Sequence, residues 1–183
     1  MHTHWAQEEI TYTGEQLSSL WAMRRFGLQG ESVVAFAGPC RVGPEHMVDQ
    51  ADVAAGAFIY SERMLHFIVE HFELGLRETI ARQRLLVALA AELLRPQAPA
   101  LVRRGDDLYL GERKLSVSIA TASPVSTLIH LGLNISSTGT PVPAVGLAEL
   151  GVEPAGFAQE LMAAYREEMA GITAARAKVK GVL

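Results

Sequence analysis

The chain has 183 residues, of which 49% are hydrophobic and 20% are charged, and its formal net charge is −4. This length suits one domain over residues 1–183, large enough to fold without a disulfide or a metal. The acidic balance lacks the basic excess of nucleic-acid-binding proteins, and no apolar run reaches the roughly 18 residues of a membrane-spanning helix. We therefore expect no nucleic-acid partner and no membrane partner.

The N-terminal residues are polar and acidic, without the basic region and apolar core of a secretory signal. We predict that residues 1–10 form a flexible N-terminal segment. Cys40 is the single cysteine of the sequence, which excludes an internal disulfide and is typical of a reducing compartment. These features together predict a cytoplasmic protein.

In the first part of the chain, the capping-box spacing of Thr13 and Gln16 predicts a helix from Gly14 that Gly27 ends. Residues 32–36 have the apolar β-branched character of a strand. Residues 38–44 contain two glycines and two prolines, which predicts a loop. Residues 48–55 fit one or two helical turns, and residues 57–60 and 64–72 fit two strands.

In the second part, the amphipathic period of residues 76–94 predicts a long helix that ends before Pro96. Residues 102–110 and 113–122 fit two strands joined by a turn at Gly111 and Glu112, and a further strand follows over residues 124–135. Residues 136–143 fit a loop, residues 147–150 a short helix and residues 155–178 a C-terminal helix. This order predicts an α+β fold, with a mostly antiparallel mixed sheet flanked by helices.

A motif in the second part resembles a known catalytic centre. Residues 107–115 read D-L-Y-L-G-E-R-K-L, and residues 130–135 read H-L-G-L-N-I. This pair resembles the patterns N-D-L-Y-x-x-x-R-K-L-x-G and G-x-G-I-N-V of the biotin protein ligases. The matching positions are Asp107, Arg113, Lys114, Leu115, Gly132 and Asn134. Weaker likeness covers roughly residues 13–169, and the whole chain looks closest to an uncharacterised prokaryotic family. The resemblance implies a distant relative of the biotin/lipoate protein ligase superfamily, with its class II synthetase-like catalytic domain.

The sequence also departs from the ligase pattern. The family has a glycine- and arginine-rich loop, G-R-G-R-R-G, that wraps the acyl-adenylate; here only Arg41 stands between Gly38 and Gly43. Asp106 replaces the asparagine of N-D-L, and Val117 replaces the glycine that follows K-L-x.

The resemblance implies roles for the matching residues, with ATP and Mg²⁺ as cofactors. Lys114 would stabilise the charge that develops as a carboxylate attacks phosphorus. Asp107, with Asp106 beside it, would hold Mg²⁺, and we expect only one of the two to face the ligand because strand neighbours point to opposite faces. Arg41 would hold a carboxylate or phosphate. Gly38, Gly43 and Gly132 would be ligand-binding residues, and Asn134 would bridge the nucleotide or the metal, unless it only ends a strand. The alternatives are that Arg113 and Lys114 are a solvated basic pair, that the aspartates only stabilise a turn and that Arg41 is a surface residue.

A second polar cluster is visible without the resemblance. Strand alternation places His66 and Glu70 on one face, where they could line a ligand cleft with His130. His66, Glu70 and His71 could instead hold a metal, with His130 or His46 to complete the site, but residues four apart on a strand are separated by about 13 Å. A metal site here therefore requires a bent segment.

Three functions remain open from the sequence. The first is an enzyme that activates a small carboxylic acid with ATP as an acyl-adenylate and transfers the acyl group to an acceptor protein. The second is a module that binds a small acid or nucleotide without catalysis. The third is a metal-dependent hydrolase that uses His66, Glu70 and His71. The sequence leaves a homodimer open as the assembly state.

Overall fold

A computed structural model describes residues 1–54 and 59–182 of the chain. Eight strands and four helices follow one another in these residues, besides a 3₁₀ turn at Pro44–His46. In chain order they are β1 (His2–Trp5), α1 (Trp21–Phe26), β2 (Ser32–Val42), α2 (Gln50–Ala54), β3 (Ile59–His71), α3 (Leu76–Leu94), β4 (Leu101–Arg104), β5 (Asp107–Leu110), β6 (Arg113–Lys114), β7 (Ser116–Ala122), β8 (Thr127–Asn134) and α4 (Pro154–Arg176).

The strands form two sheets. The larger sheet has the order β1-β2-β3-β8-β7, in which β1 runs parallel to β2 and the other neighbours are antiparallel. The smaller sheet has the order β4-β5-β6 and is antiparallel. The predicted α+β fold with a mostly antiparallel mixed sheet is therefore confirmed.

The larger sheet separates two layers of buried side chains. Along β3, Leu65, Phe67 and Val69 point to the core that α3 and α4 cover. The alternate residues Met64 and Ile68 point to the other face, where the chain before β2 covers them. Strand alternation thus assigns each residue of β3 to one of two environments.

The two helices on the first face have nearly the bounds that the sequence predicts. Helix α3 spans Leu76–Leu94 as predicted, and it buries Leu86, Val87, Ala90 and Leu94 on one side. Helix α4 begins at Pro154, after Glu153 accepts hydrogen bonds from the backbone of Ala155 and Gly156. None of the helices in the described residues is long and apolar enough to cross a membrane.

The N-terminal residues differ from the prediction of a flexible segment over residues 1–10. His2–Trp5 form strand β1, which pairs with residues 32–35 of β2. The backbone N–H groups of Ala6 and Ile10 then donate to the carbonyls of Ala35 and Ala37. The prediction was wrong because polar residues can occupy an edge strand, where the backbone of β2 supplies the hydrogen-bond partners for their backbone groups.

The predicted loop at residues 38–44 is mostly strand, because β2 continues to Val42. Pro39 lies at an irregularity in the register between Gly38 and Cys40, where a missing N–H is tolerated. A Cβ on Gly38 would overlap with the backbone carbonyl of Ile10. The glycine therefore permits the N-terminal segment to approach β2, and residues 38–42 are strand where a loop was predicted.

Smaller differences concern the ends of elements. Helix α1 begins only at Trp21, after turns that include Leu20 at φ 60, and Gly27 ends it as predicted at φ 71. Residues 147–150 form turns, not a helix. Strand β3 is continuous where two strands were predicted, and a second turn at Gly105 divides β4 from β5. The predictions for residues 55, 57 and 58 lie outside the described residues.

Candidate ligand-binding site

A cavity of about 380 Å³ lies on the face of the larger sheet opposite α3 and α4. Its walls come from the hairpin β5-β6, from β7 and β8, and from the segments around residues 46–49 and 140–144. This volume lies within the range of small-molecule sites. The polar side chains on its wall include Tyr12, Asp106, Asp107, Lys114, His130 and Asn134, and the apolar ones include Val42, Met47, Ile59, Met64, Val117 and Ile119.

Lys114 and Asp107 form an ion pair on the cavity wall, with Nζ 2.7 Å from Oδ2. The register of the hairpin pairs Lys114 with Tyr109, two residues beyond Asp107 in β5, so both side chains stand on one face. Their side chains are 29% and 18% exposed, respectively. The pair is therefore reachable from the cavity but largely withdrawn from bulk water.

The carboxylate of Asp107 is fixed from a second side. The hydroxyl of Ser116 donates to Asp107 Oδ1 at 3.4 Å and accepts the backbone N–H of Leu108 at 2.9 Å. Burial raises the pKa of Asp107, and the ammonium of Lys114 opposes this shift. Burial is the larger of the two effects, so the pKa of Asp107 stays above its usual value although the ammonium of Lys114 lies against the carboxyl group.

Asp106 also lines the cavity, so both aspartates face it where one was predicted. The physical reason is that Asp106 belongs to the turn before β5, where strand alternation does not apply. Its Oδ2 accepts from Gln83 Nε2 at 3.1 Å, and its backbone oxygen accepts from Ser118 Oγ at 2.9 Å. Helix α3 and strand β7 thus position this carboxylate.

A stack of rings forms another part of the wall. The rings of Tyr12 and His130 are 3.9 Å apart between centroids and inclined by 15°. Behind them, His66 lies between His130 and Phe36, with ring centroids 5.4 and 4.9 Å away. Burial lowers the pKa of His66 to about 3, lowers the pKa of His130 well below its usual value, and raises the pKa of Tyr12. The stack is therefore uncharged near neutral pH.

The two residues of β8 that match the ligase motif, Gly132 and Asn134, have different surroundings. Asn134 lines the cavity, and its Nδ2 donates to the backbone oxygen of Lys114 at 3.3 Å. Gly132 instead lies beneath Met64 and Val117, and a Cβ there would overlap with the sulfur of Met64. The glycine makes room for neighbouring side chains on this face of the sheet.

Other predicted ligand residues lie away from the cavity. Arg41 is exposed, and neither it nor Gly38 nor Gly43 belongs to the described lining. Glu70 lies further along β3, where its Oε1 accepts from Leu20 N at 2.8 Å and from Ser126 Oγ at 2.6 Å. Glu70 therefore connects the backbone just before α1 to the residue just before β8.

The constellation of His66, Glu70 and His71 is not assembled. His71 points to the opposite face of β3, where it contacts Glu31 of the loop before β2 and Tyr165 of α4. Within residues 1–54 and 59–182, no three side chains of the types His, Cys, Asp and Glu are placed to hold a metal together. The alternation of the strand separates the adjacent residues Glu70 and His71.

No pattern in the sequence indicated that Tyr12 or the loop around residues 140–144 forms part of a cavity wall. Tyr12 reaches His130 because residues 6–12 hydrogen-bond along β2. Lys114 N similarly donates to Pro143 O, which draws that loop to the hairpin. Neither contact follows from a local periodicity.

Comparison with known proteins identifies the family of the chain. Residues 1–180 match the domain of unknown function DUF366. The chain belongs to the DUF366 family. The uncharacterized protein MJ0805 of Methanocaldococcus jannaschii is 40% identical over 153 residues, which cover 80% of this chain and 69% of that protein. A protein of unknown function from Pyrococcus horikoshi has the same fold, with a TM-score of 0.95, 40% identity and coverage of 100% of this chain and 99% of that chain.

Biotin protein ligases share the fold of this DUF366 chain at low identity. The enzyme from Aquifex aeolicus, solved in complex with biotin and ATP, has a TM-score of 0.60 and 14% identity over 91% of this chain and 69% of its own. The enzyme from Leishmania major, solved with biotinyl-5-AMP, has a TM-score of 0.57 and 14% identity over 90% and 72% of the two chains. The predicted likeness to the biotin protein ligases is confirmed for the fold.

Proposed function

We propose that this DUF366 protein binds a small carboxylic acid and ATP in the cavity and joins them as an acyl-adenylate. The observation that carries the proposal is the ion pair of Lys114 and Asp107 on the cavity wall. A half-buried ammonium at a cavity attracts a carboxylate more strongly than one in bulk water does. The complexes of biotin ligases with biotin and ATP and with biotinyl-5-AMP on the same fold support this choice of ligands.

The proposed reaction has two steps. In the first, a carboxylate oxygen of the acid attacks the α-phosphorus of ATP, and the bond from that phosphorus to the bridging oxygen breaks to release pyrophosphate. Lys114 would stabilise the negative charge on the non-bridging oxygens. In the second, an amine of an acceptor protein attacks the acyl carbon, the carbon–oxygen bond to AMP breaks, and the amine loses a proton to leave an amide.

Mg²⁺ fits the residues at this wall. Lys114 is the one lysine or arginine among the described lining residues, whereas a triphosphate carries several negative charges. The adjacent carboxylates of Asp106 and Asp107 are the hard oxygen ligands that Mg²⁺ prefers. We propose that these two residues would hold the ion and that it would neutralise the phosphates.

Exchange of labelled pyrophosphate into ATP, measured over a panel of small carboxylic acids, tests the first step. Lys114→Met keeps the length of the side chain and removes its charge, so we expect exchange to fall by about 10²-fold or more. Arg113→Gln is the matched control, because Arg113 is half exposed, pairs with Glu149 and lies outside the described lining. Exchange that no acid supports, or that survives in Lys114→Met, would contradict the proposal.

A binding module without catalysis is the second candidate. The small number of cationic side chains at the cavity favours it. Lys114 already pairs with Asp107 at 2.7 Å, and Arg41 lies outside the described lining, so few positive charges are available to the phosphates of ATP. Under this alternative, an acid raises the melting temperature of the protein and no pyrophosphate exchanges. The same two measurements on one preparation distinguish the candidates.

A further inference from the structure

Two buried histidines beneath the cavity share a hydrogen-bonded chain that ends on a backbone carbonyl. His66 Nε2 lies 3.3 Å from the carbonyl oxygen of Gly38, and His66 Nδ1 lies 3.1 Å from His130 Nε2. His66 is fully buried, and His130 is 4% exposed and lies on the cavity wall. The chain thus leads from the backbone of β2 to the cavity.

The carbonyl at one end fixes the position of each proton. A carbonyl oxygen only accepts, so His66 Nε2 carries the proton that it donates to Gly38. Burial keeps the pKa of His66 near 3, so the ring is neutral and its Nδ1 has a lone pair. His130 Nε2 must then donate to His66 Nδ1, and because His130 is also neutral, its own Nδ1 has a lone pair.

The cavity therefore contains two unpartnered polar groups side by side. Among the described residues, neither Nδ1 of His130 nor the hydroxyl of Tyr12 has a hydrogen-bond partner, and neither atom is fully buried, so both are accessible from the cavity that their residues line. Their rings are stacked with centroids 3.9 Å apart. Both groups are therefore available to a ligand that enters the cavity.

We infer that His130 Nδ1 selects a ligand with an N–H donor, and that Tyr12 donates to a carbonyl of the same ligand group. One group that supplies both is an amide. This inference rests on the acid-binding part of the proposed function and names the far end of that acid. His66 is a positioning residue, because it fixes the tautomer of His130 and does not line the cavity.

The register of β8 gives the scale of the ligand. An acid that binds His130 at one end and reaches Asn134, which also lines the cavity and contacts the backbone of Lys114, spans four residues of β8, a backbone separation of about 13 Å. Two hydrogen bonds of about 3 Å each leave roughly 7 Å, which is an extended chain of about six bonds. The inferred ligand is a short acid whose carboxylate and amide stand at opposite ends.

The probes are the monoamide of a straight-chain dicarboxylic acid of this length and the methyl ketone of the same size, in which a methyl group replaces the amide nitrogen. Dissociation constants are measured by calorimetry on the full chain without ATP. We expect the amide to bind about tenfold more tightly than the ketone. In His130→Phe the ratio falls to about one. In Tyr12→Phe both probes should bind more weakly by the same factor, because both contain the carbonyl group. The ratio of the two dissociation constants should therefore stay unchanged.

A second measurement covers the case in which His130→Phe does not fold. Nitrogen-15 spectra of the imidazoles in the unaltered protein should show both histidines as neutral Nε2–H tautomers at about pH 7. The Nδ1–H tautomer at His130, equal affinities for amide and ketone, or no binding of either probe would overturn the inference. Pyrophosphate exchange is independent of these results: binding with amide preference and without exchange overturns only the adenylation, and exchange without amide preference overturns only the inference.

Discussion

The phenol oxygen of Tyr165 lies 2.8 Å from Nε2 of His71, so a pair of fully buried side chains joins α4 to the central strand β3. Nδ1 of the same imidazole contacts the carboxylate of Glu31 at 3.0 Å and the guanidinium of Arg82 at 3.3 Å, while Nε2 contacts the phenol. Burial lowers the pKa of His71, and Glu31 opposes this shift. The cluster connects three elements on the helix-covered face of the sheet.

Tyr165→Phe should destabilise the fold by about 1–3 kcal/mol, because it leaves a buried imidazole nitrogen without its partner. Denaturant unfolding measures the change. Tyr109→Phe is the control, since Tyr109 is only half-buried, and we expect its effect to stay within about 0.5 kcal/mol. Equal effects of the two substitutions would show that the bond to His71 contributes little.

Stability should fall as the pH is lowered, because His66 is buried and uncharged. Its pKa in the folded chain is about 3, below its usual value of 6.5, so the unfolded chain binds more protons in this interval. The stabilisation is complete above about pH 6.5 and is lost towards pH 3, with a slope of up to about 1.4 kcal/mol per pH unit. Urea unfolding between about pH 5 and 8 measures the slope. His66→Phe should reduce the slope, and His130 and His71, whose pKa values burial also lowers, supply what remains. An unaltered protein with a flat profile would contradict this account.

Gly38→Ala should destabilise the fold by about 1–3 kcal/mol, because the added Cβ overlaps with the carbonyl of Ile10. The N-terminal segment would move away from β2, which protease sensitivity near residue 10 would detect. Gly171→Ala is the matched control: its Cβ meets nothing within 4 Å in α4, so we expect a gain of about 0.5–1 kcal/mol. A neutral Gly38→Ala would mean that the segment is not held as described.

Asp107→Asn and Lys114→Met should not act independently on stability. The two side chains touch at 2.7 Å and are 18% and 29% exposed, so a double-mutant cycle should give a coupling of about 1 kcal/mol. Unfolding of the two single variants and the double variant supplies the value. Asp106→Asn paired with Lys114→Met is the comparison cycle, because Asp106 pairs with Gln83 and Arg84 instead. Additive effects for Asp107 would show that the ion pair does not contribute to folding.

Several elements followed from the sequence, because their causes are local. The amphipathic period gave both ends of α3, and the glycine after Phe26 gave the end of α1. Strand alternation placed His66 and Glu70 on one face of β3. The short hairpin brought Lys114 beside Asp107, because two strands joined by a tight turn have a fixed register. In each case the interacting residues are few positions apart.

Only the tertiary structure decided the rest of the candidate site. Tyr12 lies on His130 and residues 140–144 close the wall because distant backbones exchange hydrogen bonds, and no periodicity records such pairing. The same pairing turned the glycine- and proline-containing segment after residue 37 into strand and left Arg41 outside the cavity. The chain therefore specified its two long helices, its hairpin and the charged pair by itself, whereas the cavity arose from contacts between segments that are far apart in sequence. Those contacts depend on which strand edges remain free to pair, and that is a property of the assembled sheet.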